Sequence, residues 1–289
     1  MKRVLVTGAD GSIGRAAVTG LLDAGYAVTG LSLRYAHVCA ADRRLVGDAR
    51  SPVDVAAALD GADAVLHLAA IPHPSLGTPE EVFANNVAAT FNVLAQAGQR
   101  GIRRAVIASS INAFGVPMNV NPVFPAYYPL DEEVQADIAD AYSLSKSVDE
   151  QSARMAWRRW GTNVIALRFP LVKTRAELLR FAAVAERDPS TMAREGWAYL
   201  DLRDGVRAIV AALESPAAGA HVVGLAADDI LIDRPTGELL REHAPAVPLR
   251  RPVRGRDSLV DIARARELLG FTPRYSIHDQ DQVVSAVTT

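Results

Sequence analysis

The sequence predicts an α/β fold, a doubly wound parallel sheet followed by a small C-terminal cap. Three observations carry that prediction. Short apolar runs alternate with longer amphipathic stretches through residues 1–170, a glycine-rich turn directly follows the first run, and the alternation weakens past Phe169. Strands covered on both faces read as nearly unbroken apolar runs, and the helices between them supply the covering. Right-handed crossovers then wind the sheet in both directions from its first strand.

Taken in order, Lys2 to Thr7 reads as a buried strand and Ile13 to Ala24 as a helix with apolar residues at helical spacing. Ala27 to Leu33 is a second strand, Val53 to Leu59 a short helix and Ala64 to Ala69 a third strand. Glu80 to Gln99 is a long helix, Arg104 to Ser109 a strand, Ser143 to Trp160 a helix and Val164 to Phe169 a strand. Between Pro117 and Pro129 lie four prolines and three aromatics without periodicity. Proline excludes a helix or a central strand there, so the segment is expected to be a loop crossing a cleft. Farther on, Glu177 to Glu186 and Leu202 to Leu213 read as helices, His221 to Leu225 as a strand and Val260 to Leu269 as a last helix. Residues 1–170, with the glycine-rich turn Gly8-x-x-Gly11-x-x-Gly14 between their first strand and first helix, are expected to form a dinucleotide-binding unit. Residues 171–289 are expected to be mostly a substrate-binding cap, with segments near 200–225 returning to the first unit.

Composition narrows the function classes. A formal charge of -2 gives no electrostatic reason to expect nucleic acid or an anionic membrane as partner. No apolar run reaches the ~18 residues of a membrane span, and the N-terminus enters a strand at once, without the pattern of an export signal. One cysteine, Cys39, forms no internal disulfide, and a cytoplasmic setting is expected. The six histidines never fall at metal-ligand spacing, so no metal is assigned. His67, on an apolar strand, reads as a satisfied core histidine.

The turn Thr7-Gly8-Ala9-Asp10-Gly11-Ser12-Ile13-Gly14 joins the first strand to the first helix. In such a Gly-x-x-Gly-x-x-Gly turn the first glycine permits the tight bend, and the second lets backbone amides approach a pyrophosphate. The third lets helix and strand pack closely. The helix N-terminus adds unpaired amides and a partial positive charge. Tyr142 and Lys146 stand four residues apart at a helix start and therefore on one face. A free phenol titrates near 10, too high for a base at neutrality. A cation ~4 Å away at an effective dielectric of ~20 favours a phenolate by about 4 kcal/mol, roughly three pH units. Lysine is scarce here (Lys2, Lys146 and Lys173), and arginine does not readily release its proton.

These motifs resemble the short-chain dehydrogenase/reductase superfamily, and its extended branch, the NAD-dependent epimerase/dehydratase group, most of all. Gly47-Asp48-Ala49, Leu66-His67-Leu68-Ala69-Ala70, Asn86-Val87-Ala88-Ala89-Thr90 (with alanine where the family has glycine) and Tyr142-Ser143-Leu144-Ser145-Lys146 carry the likeness. The resemblance implies a Rossmann fold and cofactor contacts from Gly8, Asp10, Gly11, Ser12, Ile13 and Gly14. It adds Asp48 and Ala49 at the adenine, Leu68, Ala69 and Ala70 at the nicotinamide side, and Phe169 and Pro170 near the carboxamide, besides Tyr142 and Lys146. It makes Tyr142 the proton-transfer residue and Lys146 its partner. It gives Ser110, with Ser109 as rival, the hydrogen bond to the reacting oxygen, and Asn86 the holding of the relay helix or a water.

The family's acid at the end of the second strand is replaced here by Ser32, with Arg34 two residues on. Loss of the carboxylate and gain of a guanidinium favour NADP over NAD, although Arg34 at the surface or stacked on adenine is compatible with NAD. The run Ala108-Ser109-Ser110-Ile111-Asn112 resembles uronate dehydrogenases, and His73 follows the third strand; His73, Ser110 and Asn112 are the candidate substrate contacts. The expected function is NAD(P)-dependent oxidation or reduction of a sugar-like or other polar small molecule. A nucleotide-sugar epimerase or dehydratase is the alternative, and a non-catalytic NADP-sensing regulator a remote one. Asp131-Glu132-Glu133 is either a dehydratase acid pair or a solvated run. Trp157 and Trp160 are expected in the core or at a homodimer interface.

Overall fold

A computed structural model describes residues 1–279 of the chain; residues 280–289 of the expected cap lie outside the described residues. The first half runs β1 (Arg3–Thr7), α1 (Ser12–Asp23), β2 (Ala27–Ser32), β3 (Arg43–Val46), α2 (Pro52–Ala58), β4 (Ala64–His67), α3 (Pro79–Gln99) and β5 (Arg104–Ser110). It continues through α4 (Ala141–Trp160), β6 (Asn163–Phe169), β7 (Leu171–Lys173), α5 (Arg175–Ala185), β8 (Tyr199–Asp201) and α6 (Leu202–Glu214). The described chain ends with β9 (Ala220–Gly224), α7 (Thr236–His243) and α8 (Ala263–Leu269).

Seven strands form one parallel sheet in the order β3-β2-β1-β4-β5-β6-β9. It is the doubly wound Rossmann arrangement that the alternation predicts. Successive strand residues point to opposite faces. Val4, Val6, Leu66, Val106 and Ile165 therefore face the layer of α1 and α6, whereas Leu5, Val65, Ile107 and Val164 face α2, α3 and α4. The chain winds one way to β2 and β3 and the other way to β4, so a crevice opens past the carboxyl ends of β1 and β4. In open α/β sheets that switch point is where ligands bind.

Local chemistry starts the long helices where the site needs them. Thr78 and Glu81 form a reciprocal capping box at α3, behind Pro79 at its first position. Asp140 accepts the Ser143 amide at the start of α4, and Gly161 ends that helix in the left-handed conformation.

Several boundaries and elements differ from expectation, each for a physical reason. The strand expected to reach Ala69 stops at His67, because the Leu68 and Ala69 amides both turn onto the Thr7 hydroxyl. The last helix begins at Ala263 rather than Val260: Val260 bridges to Leu130, and the Asp261 carboxylate caps the Ala263 amide. Edge strand β3 escapes pattern reading because its outward side is exposed and its sequence, Arg-Arg-Leu-Val, lacks an apolar run. Helix α7 begins Thr-Gly behind Pro235 without a side-chain cap, so it carries no start signal.

Past Phe169, β7 and β8 pair as a separate two-stranded sheet, while α6 packs on α1 with Val206 over Gly20 and β9 joins the main sheet. The proline-rich segment 117–129 is irregular, as its prolines dictate, but none of its residues lines the crevice. It is fastened to the C-terminal part instead: the Tyr128 amide donates to Pro248, Arg194 donates to the Asn119 carbonyl, and Arg250 stacks on Tyr127. Asp131 and Glu132 have similar structural employment, accepting from Tyr127 and from the Gly224 amide, while Glu133 points to solvent.

Candidate active site

The crevice has a volume of about 660 Å³, within the usual range for a ligand site. Its lining holds Gly8, Asp10, Gly11, Ser12, Ile13 and Gly14, then Ser32, Arg34, Asp48 and Ala49. Leu68, Ala69 and Ala70 follow, then Ser109, Ser110, Tyr142, Lys146, Phe169 and Pro170. Three expected contacts are not in the lining: His73, Asn86 and Asn112.

The glycine turn meets the requirement for a dinucleotide. Gly8 has φ +69°, and a Cβ there would come within 2.8 Å of the Ala69 backbone nitrogen. A Cβ at Gly14 would strike the Gly8 carbonyl. Gly11 caps α1 without a side-chain hydrogen bond, so the first-turn amides stay available for phosphate.

At the adenosine end, the Asp10 carboxylate accepts the amides of Ala36 at 2.9 Å and His37 at 3.1 Å. The Ala36 hydrogen bond, helped by His37 and opposed by desolvation, holds this carboxyl below its ordinary range. Asp10 thereby ties the glycine turn to the loop after β2 that carries the exposed Arg34. Asp48 lines the crevice, but its carboxylate is engaged by Arg50 (2.6 Å to Nη2), which keeps its pKa low.

At the other end, Tyr142 is 7 % exposed and Lys146 is 4 % exposed, one turn apart on α4. The Lys146 Nζ lies 5.9 Å from the Tyr142 ring centroid and donates to the Ala108 carbonyl at 2.8 Å. It also donates to the Asp149 carboxylate at 3.2 Å. Burial opposes the lysine charge, yet Asp149, Tyr142 and Glu150 outweigh it and hold Lys146 above its ordinary value.

The two serines are in different circumstances. The Ser109 hydroxyl donates to Glu150 at 2.7 Å, and Glu150 is itself paired with Arg168 at 2.8 Å. The Ser110 hydroxyl accepts the Asn112 amide at 3.1 Å, which leaves its own hydrogen to offer. Asn86 is wholly buried below the crevice: its Oδ1 accepts the Ile71 amide, and its Nδ2 donates to the Ile71 carbonyl and the Ser145 hydroxyl. Ser145 in turn donates to the Tyr142 carbonyl, so Asn86 straps α4 to the segment after β4. His73 is exposed and turns its Nδ1 onto Ser75, capping the short turn Pro74–Leu76. Asn112 is buried at the start of the turn Ile111–Phe114, with Oδ1 lacking a partner among the described residues. His67 and Cys39 are both buried.

Sequence reading missed Ala36, His37, Ile71, Pro72, Asn85, Val172 and Lys173 in the lining, and Asp149 behind it. Only Asp149 carried a signal, an acid one turn after Lys146 on the same helix face. A more open cavity among the C-terminal segments is lined by residues already paired with one another, such as Asp233 with Arg256 and Asp229 with Ser276. Among the described residues no group of three or more His, Cys, Asp or Glu side chains is placed to hold a metal, and no helix is long and apolar enough to cross a membrane.

A glycine cradle at the switch point, with a tyrosine-lysine pair at the other end of the same crevice, defines a dinucleotide-dependent enzyme of the oxidoreductase type. Residues 4–226 match the NAD dependent epimerase/dehydratase family, and the chain belongs to it. It is 27% identical over 266 residues to cinnamoyl-CoA reductase 1 of Petunia hybrida, covering 85% of this chain and 78% of that one. It is 26% identical over 309 residues to UDP-glucose 4-epimerase of Corynebacterium glutamicum, covering 95% and 92%. A short-chain dehydrogenase/reductase superfamily protein from Agrobacterium tumefaciens, solved with bound NAD, superposes with a TM-score of 0.72 at 24% identity, over 95% and 93% of the chains.

Proposed function

We propose that this enzyme oxidises or reduces a sugar-like substrate bearing an anionic group, with Ser110, Tyr142 and Lys146 as its catalytic residues and NADP as the preferred cofactor. The observation that carries the reading is the convergence of Tyr142, Lys146 and Ser110 on the crevice that also holds the glycine turn. A bound nicotinamide supplies the hydride acceptor or donor. Gly8 to Gly14 hold the pyrophosphate, Leu68 to Ala70 and Phe169-Pro170 flank the nicotinamide end, and Ser32 with Arg34 accept a 2′-phosphate. In the oxidative direction Tyr142 takes the proton of the substrate hydroxyl, Ser110 donates to the same oxygen, and Lys146 stabilises the phenolate. In reduction the proton runs back from Tyr142 to the carbonyl oxygen.

The anionic group follows from charge placement. From Leu68 onward, Lys146 and Lys173 are the charged residues lining the crevice, and no carboxylate lines that half among the described residues. Lys146 is buried against Asp149, whereas Lys173 is half-buried and makes no ion pair among the described residues. It stands in β7 just past the end of β6, three strands from β1 in the sheet order, and so beside the Phe169-Pro170 end of the crevice rather than at the glycine turn. A carboxylate or phosphate of the substrate is its fitting partner.

Absorbance at 340 nm with a panel of sugars, sugar acids and sugar phosphates, in both directions and with both cofactors, tests the reading. Turnover of an acid with net cofactor conversion supports it; inverted product stereochemistry without net conversion establishes an epimerase instead. The chain also forms a homodimer in this reading, because the adjacent helices α3 and α4 leave Phe91 (51%), Leu144 (44%) and Trp157 (38%) exposed. Light scattering near 30.9 kDa overturns that part.

A further inference from the structure

In a tyrosine-lysine site the ammonium does two jobs: it favours the phenolate, and it must point at the cofactor ribose rather than elsewhere. A flexible lysine with three N–H donors needs partners that fix it. Here two are built in. One is the Ala108 carbonyl at the end of β5, and the other is Asp149, three residues on along α4. Asp149 is 1 % exposed, so its carboxylate depends on partners inside the fold, first Lys146 and then the Thr90 hydroxyl. A carboxylate in that position is costly unless the ion pair is kept intact. Asn86 is not available to act behind Lys146, because both of its amide hydrogens and its oxygen are already engaged.

We propose that Asp149 is a positioning residue for the proposed reaction: its carboxylate fixes the Lys146 ammonium beside β5 and partly cancels the pull of that ammonium on the Tyr142 phenol, so that the site works at a higher pH than its lysine by itself would set. The inference rests on the Tyr142–Lys146 reading above. The other groups around Lys146 do not replace this anion. Glu150 on α4 is already neutralised by Arg168 of β6. His67 of β4 is buried and uncharged, its pKa held at about 3 by burial and then by Lys146 itself. Thr90 of α3 and Ala108 of β5 bring only dipoles. Burial pushes the Asp149 carboxyl up, against the lowering by Lys146 and by the Thr90 hydrogen bond.

While Lys146 keeps its charge, the sign of the effect is fixed. Removing a negative charge near a phenol eases its ionisation. Tyr142 and Asp149 are seven residues apart, ~10 Å along the helix axis. At that separation and an effective dielectric of ~20, a unit charge moves a titration by about one pH unit. In Asp149→Asn the acid limb of the kcat/KM–pH profile therefore moves down by about one unit, a tenfold rise in the proton concentration at half-activity. Asp149→Glu, which keeps the charge, leaves the limb near its wild-type position.

An unmoved or upward-moving limb in Asp149→Asn overturns the proposal, as does a Glu variant that behaves like Asn. A purely structural role lowers kcat or thermal stability without moving the limb. A second readout needs no turnover: the phenolate absorbance near 295 nm, taken as the difference between each background and the same background with Tyr142→Phe. Its appearance at lower pH in Asp149→Asn, together with no turnover of any substrate, keeps the electrostatic proposal and discards the reaction. An unchanged difference titration discards the proposal while leaving the reaction to the 340 nm assay.

Discussion

Thr7 Oγ1 and His67 Nδ1 are joined by a 2.8 Å hydrogen bond across the adjacent strands β1 and β4, directly beneath the crevice. The Thr7 hydroxyl also accepts the Leu68 and Ala69 amides, so its own hydrogen goes to Nδ1. That leaves the imidazole proton on Nε2, which donates to Thr90 at 3.1 Å. The ring is thus satisfied only when neutral.

Stability records this neutrality. Burial first, and Lys146 second, lower the His67 pKa from 6.5 to about 3 in the folded protein. Below pH ~6.5 the unfolded chain binds a proton that the native state refuses. The contribution is therefore complete above that pH and is lost toward pH 3, at about 1.4 kcal/mol per unit. Glu195 acts oppositely: burial of its carboxyl pushes it from 4.5 up to about 7, so its contribution weakens as pH rises through that window. The two overlap, so the readout is the difference between wild type and His67→Gln in urea unfolding. That difference shrinks with falling pH between about 6.5 and 4; a pH-independent difference rejects the account.

Tyr142→Phe retains the cofactor crevice and removes the proton-transfer group. It lowers kcat by roughly 10²–10⁴-fold, the usual worth of general acid–base catalysis, and leaves the cofactor Kd within a few-fold. Steady-state kinetics with fluorescence titration of NADPH decides; near-normal kcat excludes the role.

Arg34 is exposed at the crevice rim and makes no hydrogen bond among the described residues. Arg34→Ala lowers kcat/KM with NADPH by roughly 10–100-fold, the loss expected for one charge-assisted hydrogen bond. NADH kinetics change little. Equal loss with both cofactors, or a wild-type preference for NADH, removes the 2′-phosphate from the site.

Lys173→Met raises KM for an acidic substrate about tenfold while kcat with the corresponding neutral sugar is unchanged, because the lost contact is uniform binding at a distance from the reacting atoms. A proportional loss for acid and neutral sugar shows that Lys173 acts on something other than the anion.

Glu150→Ala leaves Arg168, only 13% exposed, beside an empty position and frees the Ser109 hydroxyl. Breaking a buried pair from one side costs about 3–5 kcal/mol. Thermal or urea unfolding measures it. A cost below about 1 kcal/mol means that water reaches and solvates the guanidinium.

The sequence determined by itself what local order can encode. Apolar runs announced the buried parallel strands, glycine spacing announced the turn after β1, and Tyr142 four residues before Lys146 placed both on one helix face. Those signals work because backbone geometry and periodicity act within a few residues. Tertiary structure decided what lies between distant segments. It gave Asn86 entirely to strapping α4, turned His73 onto Ser75, and held the proline-rich segment against the C-terminal part instead of the crevice. It engaged Ser109 with Glu150 and left Ser110 able to donate. It also brought Lys173 into the lining and the Asp10 carboxylate to the loop carrying Arg34. A polar side chain takes whichever partner the packed chain presents, and no spacing rule ranks partners tens of residues away.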